Sequence, residues 1–277
     1  EELEARAPQP PVASERIVFF TDVRQRQQCS SCLRNALVDK RALEEEVVSR
    51  YGPSGTGQVR TSNLQSYSFE ELAEYLNEPS VTPGDETPTP EPSAVQTAID
   101  QADWIVFSML NITPDVPWSR AVSDFLARPD IVRDKRVVVF AFDAPYYLDT
   151  TELSKLTAYY ALYSHAPPFV SMAARLLFRD ITPGGAPPVS VPATGYDLIS
   201  VTRHDPANNI DLFWQKASAS NPDVPETTLQ INDVITVTTG VLLDHNGNQV
   251  PDDTFVEFRV NYANEGQALS EFFSFPT

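Results

Sequence analysis

The sequence predicts an α/β three-layer sandwich followed by a smaller all-β domain, and three observations carry that reading. From residue 16 to about residue 192, apolar runs of strand length alternate with longer segments of helical period. From about residue 208 onward only short β-branched and aromatic runs remain. Charge changes at the same place, since residues 206–277 hold ten Asp or Glu against only Lys216 and Arg259. The length of 277 residues also exceeds one typical domain of about 100–200 residues.

In chain order, residues 1–15, with Pro8, Pro10 and Pro11, read as a linker from a preceding domain. The α/β domain then spans 16–203. Its strands are expected at 16–21, 103–110 and 136–142, with a weaker one at 59–64. The first three are nearly continuous apolar runs, the signature of strands buried on both faces, so a mainly parallel, flavodoxin-like sheet covered by helices on both sides follows. Helices are expected at 33–51, closed by Gly52; at 68–77, opened by the capping sequence Ser68-Phe-Glu-Glu; at 119–127; at 151–164; and at 168–178, where Pro167-Pro168 fits a first turn. Residues 77–92 carry five prolines and four acids with no base, which predicts an exposed, mobile loop. Residues 204–277 form the all-β domain, with room for five or six strands. Strand order is not legible.

Thirty-eight acidic against 20 basic residues give a formal charge of −18, which repels phosphate backbones and anionic lipid. Nucleic acid and membrane are therefore not expected partners. The longest apolar run is six residues, against the roughly 20 a spanning helix needs. The sequence opens Glu-Glu-Leu-Glu and its methionines are Met109 and Met172, as expected of a fragment of a longer chain.

Several patterns carry chemistry. Cys29-Ser-Ser-Cys32 follows a strand and precedes a helix, where a redox pair would use the helix dipole. It begins seven residues past the strand and lacks a preceding aromatic, so a structural disulfide with little functional consequence is favoured over free thiols and over catalysis. One such pair cannot complete a four-ligand zinc site. Gly52-Pro-Ser-Gly-Thr-Gly57 resembles half of a phosphate loop, but Gln58 and Val59 replace the required Lys and Ser/Thr, and a helix-to-strand turn is the better reading. Asp244-His-Asn-Gly-Asn248 alternates oxygen ligands as the start of a calcium loop does, yet Asn246-Gly247 between β-type runs is the stronger hairpin signal. No metal site and no cofactor motif is assigned. No Gly-x-Ser-x-Gly elbow occurs, and His165, His204 and His245 have no spaced partners. Asp22, Asn111 and Asp143 each stand just past the C-terminal end of a strong strand, the edge where open α/β sheets bind ligands. They are the substrate-binding candidates, with turn capping as the alternative role.

Residues 173–191, Ala-Ala-Arg-Leu-Leu-Phe-Arg-Asp-Ile-Thr-Pro-Gly-Gly-Ala-Pro-Pro-Val-Ser-Val, resemble the end of the C-terminal α/β-sandwich domain of family 3 glycoside hydrolases. Leu177, Phe178, Asp180, Pro183, Gly185, Pro188, Val189 and Ser190 match that pattern, while Arg179 replaces its usual Gly and Ala186-Pro187 replace its usual basic residue and Leu. Residues 137–148 look like the family's penultimate strand segment, with Ala144 inserted between Asp143 and Pro145. The β-N-acetylhexosaminidase branch is the most similar. Residues 237–258 are similar to bacterial Ig-like modules of the invasin type, with Asp253 where that pattern has Gly. The resemblance implies that the catalytic groups belong to an N-terminal (β/α)8 barrel, so no catalytic residue transfers to this chain. The expectation is thus the non-catalytic C-terminal region of a secreted sugar-cleaving enzyme, extracellular or in the cell envelope. Its partners would be the barrel of the same polypeptide and a carbohydrate faced by Asp22, Asn111 and Asp143. The alternative is an interaction module that binds carbohydrate or a surface partner without hydrolysis.

Overall fold

The computed structural model describes residues 9–27, 29–77, 92–216, 233–261 and 270–276. The expected loop at 77–92 lies outside the described residues apart from its two ends, as do residues 1–8 of the expected linker. Two compact units divide the chain: residues 1–185 with 191–195, and residues 186–190 with 196–277.

The first unit is a mainly parallel α/β sandwich. Its strands are β1 (Ile17–Thr21), β4 (Leu64–Ser68), β5 (Trp104–Met109), β6 (Arg136–Ala141) and β7 (Ala158–Ala161), while a small ribbon of β2 (Gln25–Gln27) and β3 (Arg34–Ala36) follows β1. The five sheet strands are all parallel and run in the order β4-β1-β5-β6-β7. Counting sheet strands alone this is 2-1-3-4-5, the flavodoxin-like order, whose switch point falls between the first and third strands, here β1 and β5.

Alternation along buried strands builds the three layers. Ile17, Phe19, Trp104, Val106, Val138 and Phe140 face one core, closed by the helices Ala42–Tyr51 and Pro167–Leu177. Val18, Phe20, Ile105, Phe107, Val137 and Val139 face the other, under the helices Phe69–Asn77, Ala94–Gln101 and Ala121–Leu126. The Phe107 ring stacks on Phe20 at 5.6 Å and meets Phe125 edge-on at 5.3 Å, which fixes the Ala121–Leu126 helix against the sheet.

Local signals explain most helix ends. Ser68 Oγ accepts from Glu71 N while Glu71 accepts from Ser68 N, a reciprocal capping box. The Pro167–Leu177 helix ends with Asp180 N donating to Arg175 O, and the intervening Arg179 takes φ 55°, the left-handed region that favours glycine. Arg179 is the position where the family 3 pattern carries Gly.

Three expectations need correction, and one helix was not expected. The helix expected at 33–51 begins only at Ala42, because Arg34–Ala36 pairs with Gln25–Gln27 in the ribbon. The weak strand at 59–64 is displaced to Leu64–Ser68, with Val59 buried as an anchor before it. The helix at 151–164 resolves into one turn, Thr150–Leu153, and the edge strand β7, where Thr157 exchanges hydrogen bonds with the backbone of Val137 and draws Ala-Tyr-Tyr-Ala alongside β6. The helix Ala94–Gln101, capped by Ser93, has no counterpart in the sequence reading.

In the second unit, β8 (Leu212–Lys216) pairs antiparallel with β9 (Ile235–Thr239), and β10 (Phe255–Asn261) pairs with β11 (Ser270–Pro276). Among the described residues these are two separate two-stranded ribbons. Asp244 is buried, and its Oδ1 accepts from both Asn246 N (2.8 Å) and Asn248 N (2.9 Å), so the 244–248 segment is a turn organised by its own aspartate. Asp253, which replaces a Gly of the Ig-like pattern, has φ 66°.

Candidate functional site

Parallel pairing puts the C-terminal ends of β1, β5, β6 and β7 on one edge of the sheet, and the residues just beyond them form the candidate site. Asp22 N donates to Ser108 O (2.9 Å), which carries the β1–β5 ladder one residue further. The Asp22 side chain is fully buried. Arg24, two residues on, returns to it as a fork, with Nε to Oδ1 at 2.9 Å and Nη2 to Oδ2 at 2.6 Å. The same guanidinium donates to Asn111 Oδ1 (2.5 Å) and to Asn111 O. Arg24 therefore ties the loop after β1 to the loop after β5, across the switch point. Burial pushes the Asp22 carboxyl above the usual carboxylate range, opposed by the Arg24 hydrogen bonds and charge and by the Leu110 backbone N–H.

Beyond β6 the edge becomes aromatic. Asp143 is exposed, and Tyr146 and Tyr147 lie with ring centroids 4.8 Å apart. Tyr146 is 51% exposed and presents a shelf to solvent. Burial, the hydrogen bond with Tyr146 and the nearby Asp143 push the Tyr147 phenol up to about 12, with Arg24 opposing. Tyr147 thus stays protonated as a donor and lies within electrostatic reach of both Asp143 and the Arg24 bridge. Beyond β7, Tyr163 takes φ 57°, an uncommon conformation for a bulky residue and one that concentrates at binding edges.

The structure thus joins Asp22 to Asn111 through Arg24, and leaves Asp143 separate from that bridge but at the same strand edge. Arg24, Tyr146 and Tyr147 are the residues that sequence reasoning missed. The Asp-x-Arg spacing directly after a buried strand and the Tyr-Tyr doublet after Asp143 were the available signals. Elsewhere, Cys29 and Cys32 are joined as a disulfide. The glycine-rich turn spends its amides on the preceding helix: Thr56 N donates to Arg50 O and Val59 N to Tyr51 O, while a Cβ on Gly55 would lie 1.9 Å from Arg50 O. That packing accounts for the glycine without a phosphate. Among the described residues no group of three or more His, Cys, Asp or Glu is arranged to hold a metal, and no helix is long and apolar enough to cross a membrane.

No protein-family profile and no curated protein matches the sequence. Solved structures do. One is a fungal multi-domain GH3 β-N-acetylglucosaminidase with a GCN5-related glucosamine N-acetyltransferase region, at 18% identity over 75% of this chain and 18% of that one, TM-score 0.39. A GH3 β-N-acetylglucosaminidase from Paenibacillus sp. str. FPU-7 is similar at 16% identity, over 64% of this chain and 28% of that one, TM-score 0.37. The phosphorylated cyanobacterial phytochrome response regulator RcpA is similar at 12% identity, over 61% of this chain and 97% of that one, TM-score 0.28. The chain spans less than a third of the length of either glycosidase.

Proposed function

We propose that the first unit is a non-catalytic α/β-sandwich domain associated with family 3 glycoside hydrolases, and that its strand-end edge faces a β-N-acetylglucosaminide-like sugar held together with a catalytic barrel of the same polypeptide. One observation carries the reading: a single edge of the sheet combines an exposed tyrosine shelf, Tyr146 on Tyr147, with Asp143 and the Asp22–Arg24–Asn111 bridge at the switch point. Sugars offer apolar ring faces to aromatic planes and hydroxyls to carboxylates and amides, so this mixture suits them. The 173–191 pattern supports the association, because its one break at a conformationally special position, Arg179 for Gly, falls where the backbone is left-handed. The second unit is proposed as an Ig-like module, and the acidic, disulfide-bearing composition supports an extracellular or envelope location.

The test is amide-resolved NMR titration with an N-acetylglucosamine oligosaccharide. Shifts confined to residues 22–24, 111 and 143–147, weakened about tenfold by Tyr146→Ala (about 1.4 kcal/mol), support the proposal. Shifts elsewhere, or none, reject it. A second reading, an interaction module without any enzyme, is favoured by the exposure of Leu212, Phe213, Trp214, Ile235 and Val237 on the β8–β9 ribbon. Sugar-independent binding to a surface partner, lost in Trp214→Ser, would favour it.

A further inference from the structure

Immediately after the Asp22–Arg24 fork the chain leaves the sheet as the β2–β3 ribbon, paired Gln25 with Ala36, Arg26 with Asn35 and Gln27 with Arg34. Every residue of β2 is exposed, as are Arg34 and Asn35, so side-chain burial contributes little to holding it. The disulfide closes its tip. Cys29, Ser30 and Ser31 are exposed and Leu33 is 84% exposed, while Cys32 is half-buried, so an incoming thiolate reaches the bridge from the Cys29 side.

The electrostatic setting runs against the rest of the molecule. In a chain of net charge −18, residues 23–38 hold three arginines and no acid. Arg24 is engaged by Asp22 and Asn111, whereas the side chains of Arg26 and Arg34 make no hydrogen bond or ion pair with the described residues. Ser31 Oγ lies 3.5 Å from Cys29 Sγ and can donate to a thiolate there. Accessible sulfur with a hydroxyl beside it, carried on a segment whose only charges are positive, is the setting of exchangeable pairs and not of inert staples.

We infer that Cys29–Cys32 is a thiol–disulfide exchange site for small-molecule thiols, and that its redox state controls the order of the β2–β3 ribbon. The first thiolate attacks the exposed Cys29 Sγ, breaking the Sγ–Sγ bond and releasing Cys32 as a thiolate that takes up a proton. A second thiolate attacks the outer sulfur of the mixed disulfide and expels Cys29, whose thiolate is received by the Ser31 hydroxyl and the arginine field. Two electrons pass to the protein, and two thiols become one small-molecule disulfide.

The experiment has two measurements. The native protein is equilibrated in a glutathione buffer of cytosolic poise, in which structural disulfides stay oxidised, then acid-quenched and labelled with maleimide. The Cys32→Ser variant is titrated by thiolate absorbance, alone and with Arg26→Gln and Arg34→Gln. The pair should be more than half reduced, with loss of amide protection at 25–27 and 34–36. The Cys29 thiol should ionise about one unit below the free-cysteine value near 8.5 and move back toward it when both arginines are removed. A pair that stays oxidised in that buffer, or a Cys29 thiol that titrates at or above about 8.5, overturns the inference.

Discussion

Replacing Arg24 with Met keeps the length of the side chain but removes the charged partner, and both of its hydrogen bonds, from the buried Asp22. Asp22 is fully buried and the Arg24 side chain is 14% exposed, so water screens the pair weakly. Breaking one side of a buried pair costs about 3–5 kcal/mol, and the residual exposure of Arg24 places the expected loss near the lower end, about 3 kcal/mol. Much of that loss is the charge on Asp22, which makes it depend on pH. The Asp22 carboxyl is already raised in the folded protein, so its contribution is fully present below the unfolded carboxylate value and is lost as pH rises through the folded value. Without Arg24 the folded value climbs further, and the window extends upward. Urea unfolding of Arg24→Met should therefore show its largest deficit near neutral pH, with a smaller deficit in mild acid where Asp22 is protonated. Asp22→Asn added to Arg24→Met should recover a substantial part at neutral pH and flatten the pH dependence. A deficit that is constant with pH and unrelieved by Asp22→Asn would show that Arg24 acts by packing alone.

Arg179→Gly should raise stability by up to about 1 kcal/mol by relieving a left-handed backbone, whereas Arg179→Ala should not; thermal melts of the two variants separate them. Tyr159 OH is buried without a hydrogen-bond partner among the described residues, so Tyr159→Phe should be neutral or stabilising by about 1 kcal/mol in urea unfolding, and a loss above that size would reveal a partner for the hydroxyl. The chain alone should not hydrolyse aryl N-acetylglucosaminides, and turnover abolished by Asp143→Ala would show catalytic chemistry at this edge.

The three central strands were legible because Ile17–Thr21, Trp104–Met109 and Arg136–Ala141 are buried on both faces, which leaves a continuous apolar run that no amphipathic helix produces. β7 was hidden because an edge strand of four half-buried residues lacks that run, and its tyrosines also fit a helical period. The ribbon was hidden because it is held by backbone pairing and a disulfide, neither of which imprints apolar periodicity on residues 25–36. Asp22 and Asn111 could be placed by their position past strand ends. Their connection could not, since it depends on β1 and β5 being neighbours, and parallel strands joined by long crossovers carry no order signal in sequence.

The position of β1 between β4 and β5 bears on how the polypeptide survives its own synthesis. Ile17–Thr21 emerges first among the sheet strands but acquires its second neighbour only when Met109 has been made, about 90 residues later, or roughly 5–18 s at ordinary translation rates. Throughout that interval the nascent chain displays Ile-Val-Phe-Phe-Thr with at least one bare hydrogen-bonding edge, an adhesive segment of high β propensity. The acidic residues that follow it, Glu44 to Glu46 and Glu70 to Glu71, are translated within the same interval and give neighbouring nascent chains a mutual repulsion while the strand waits.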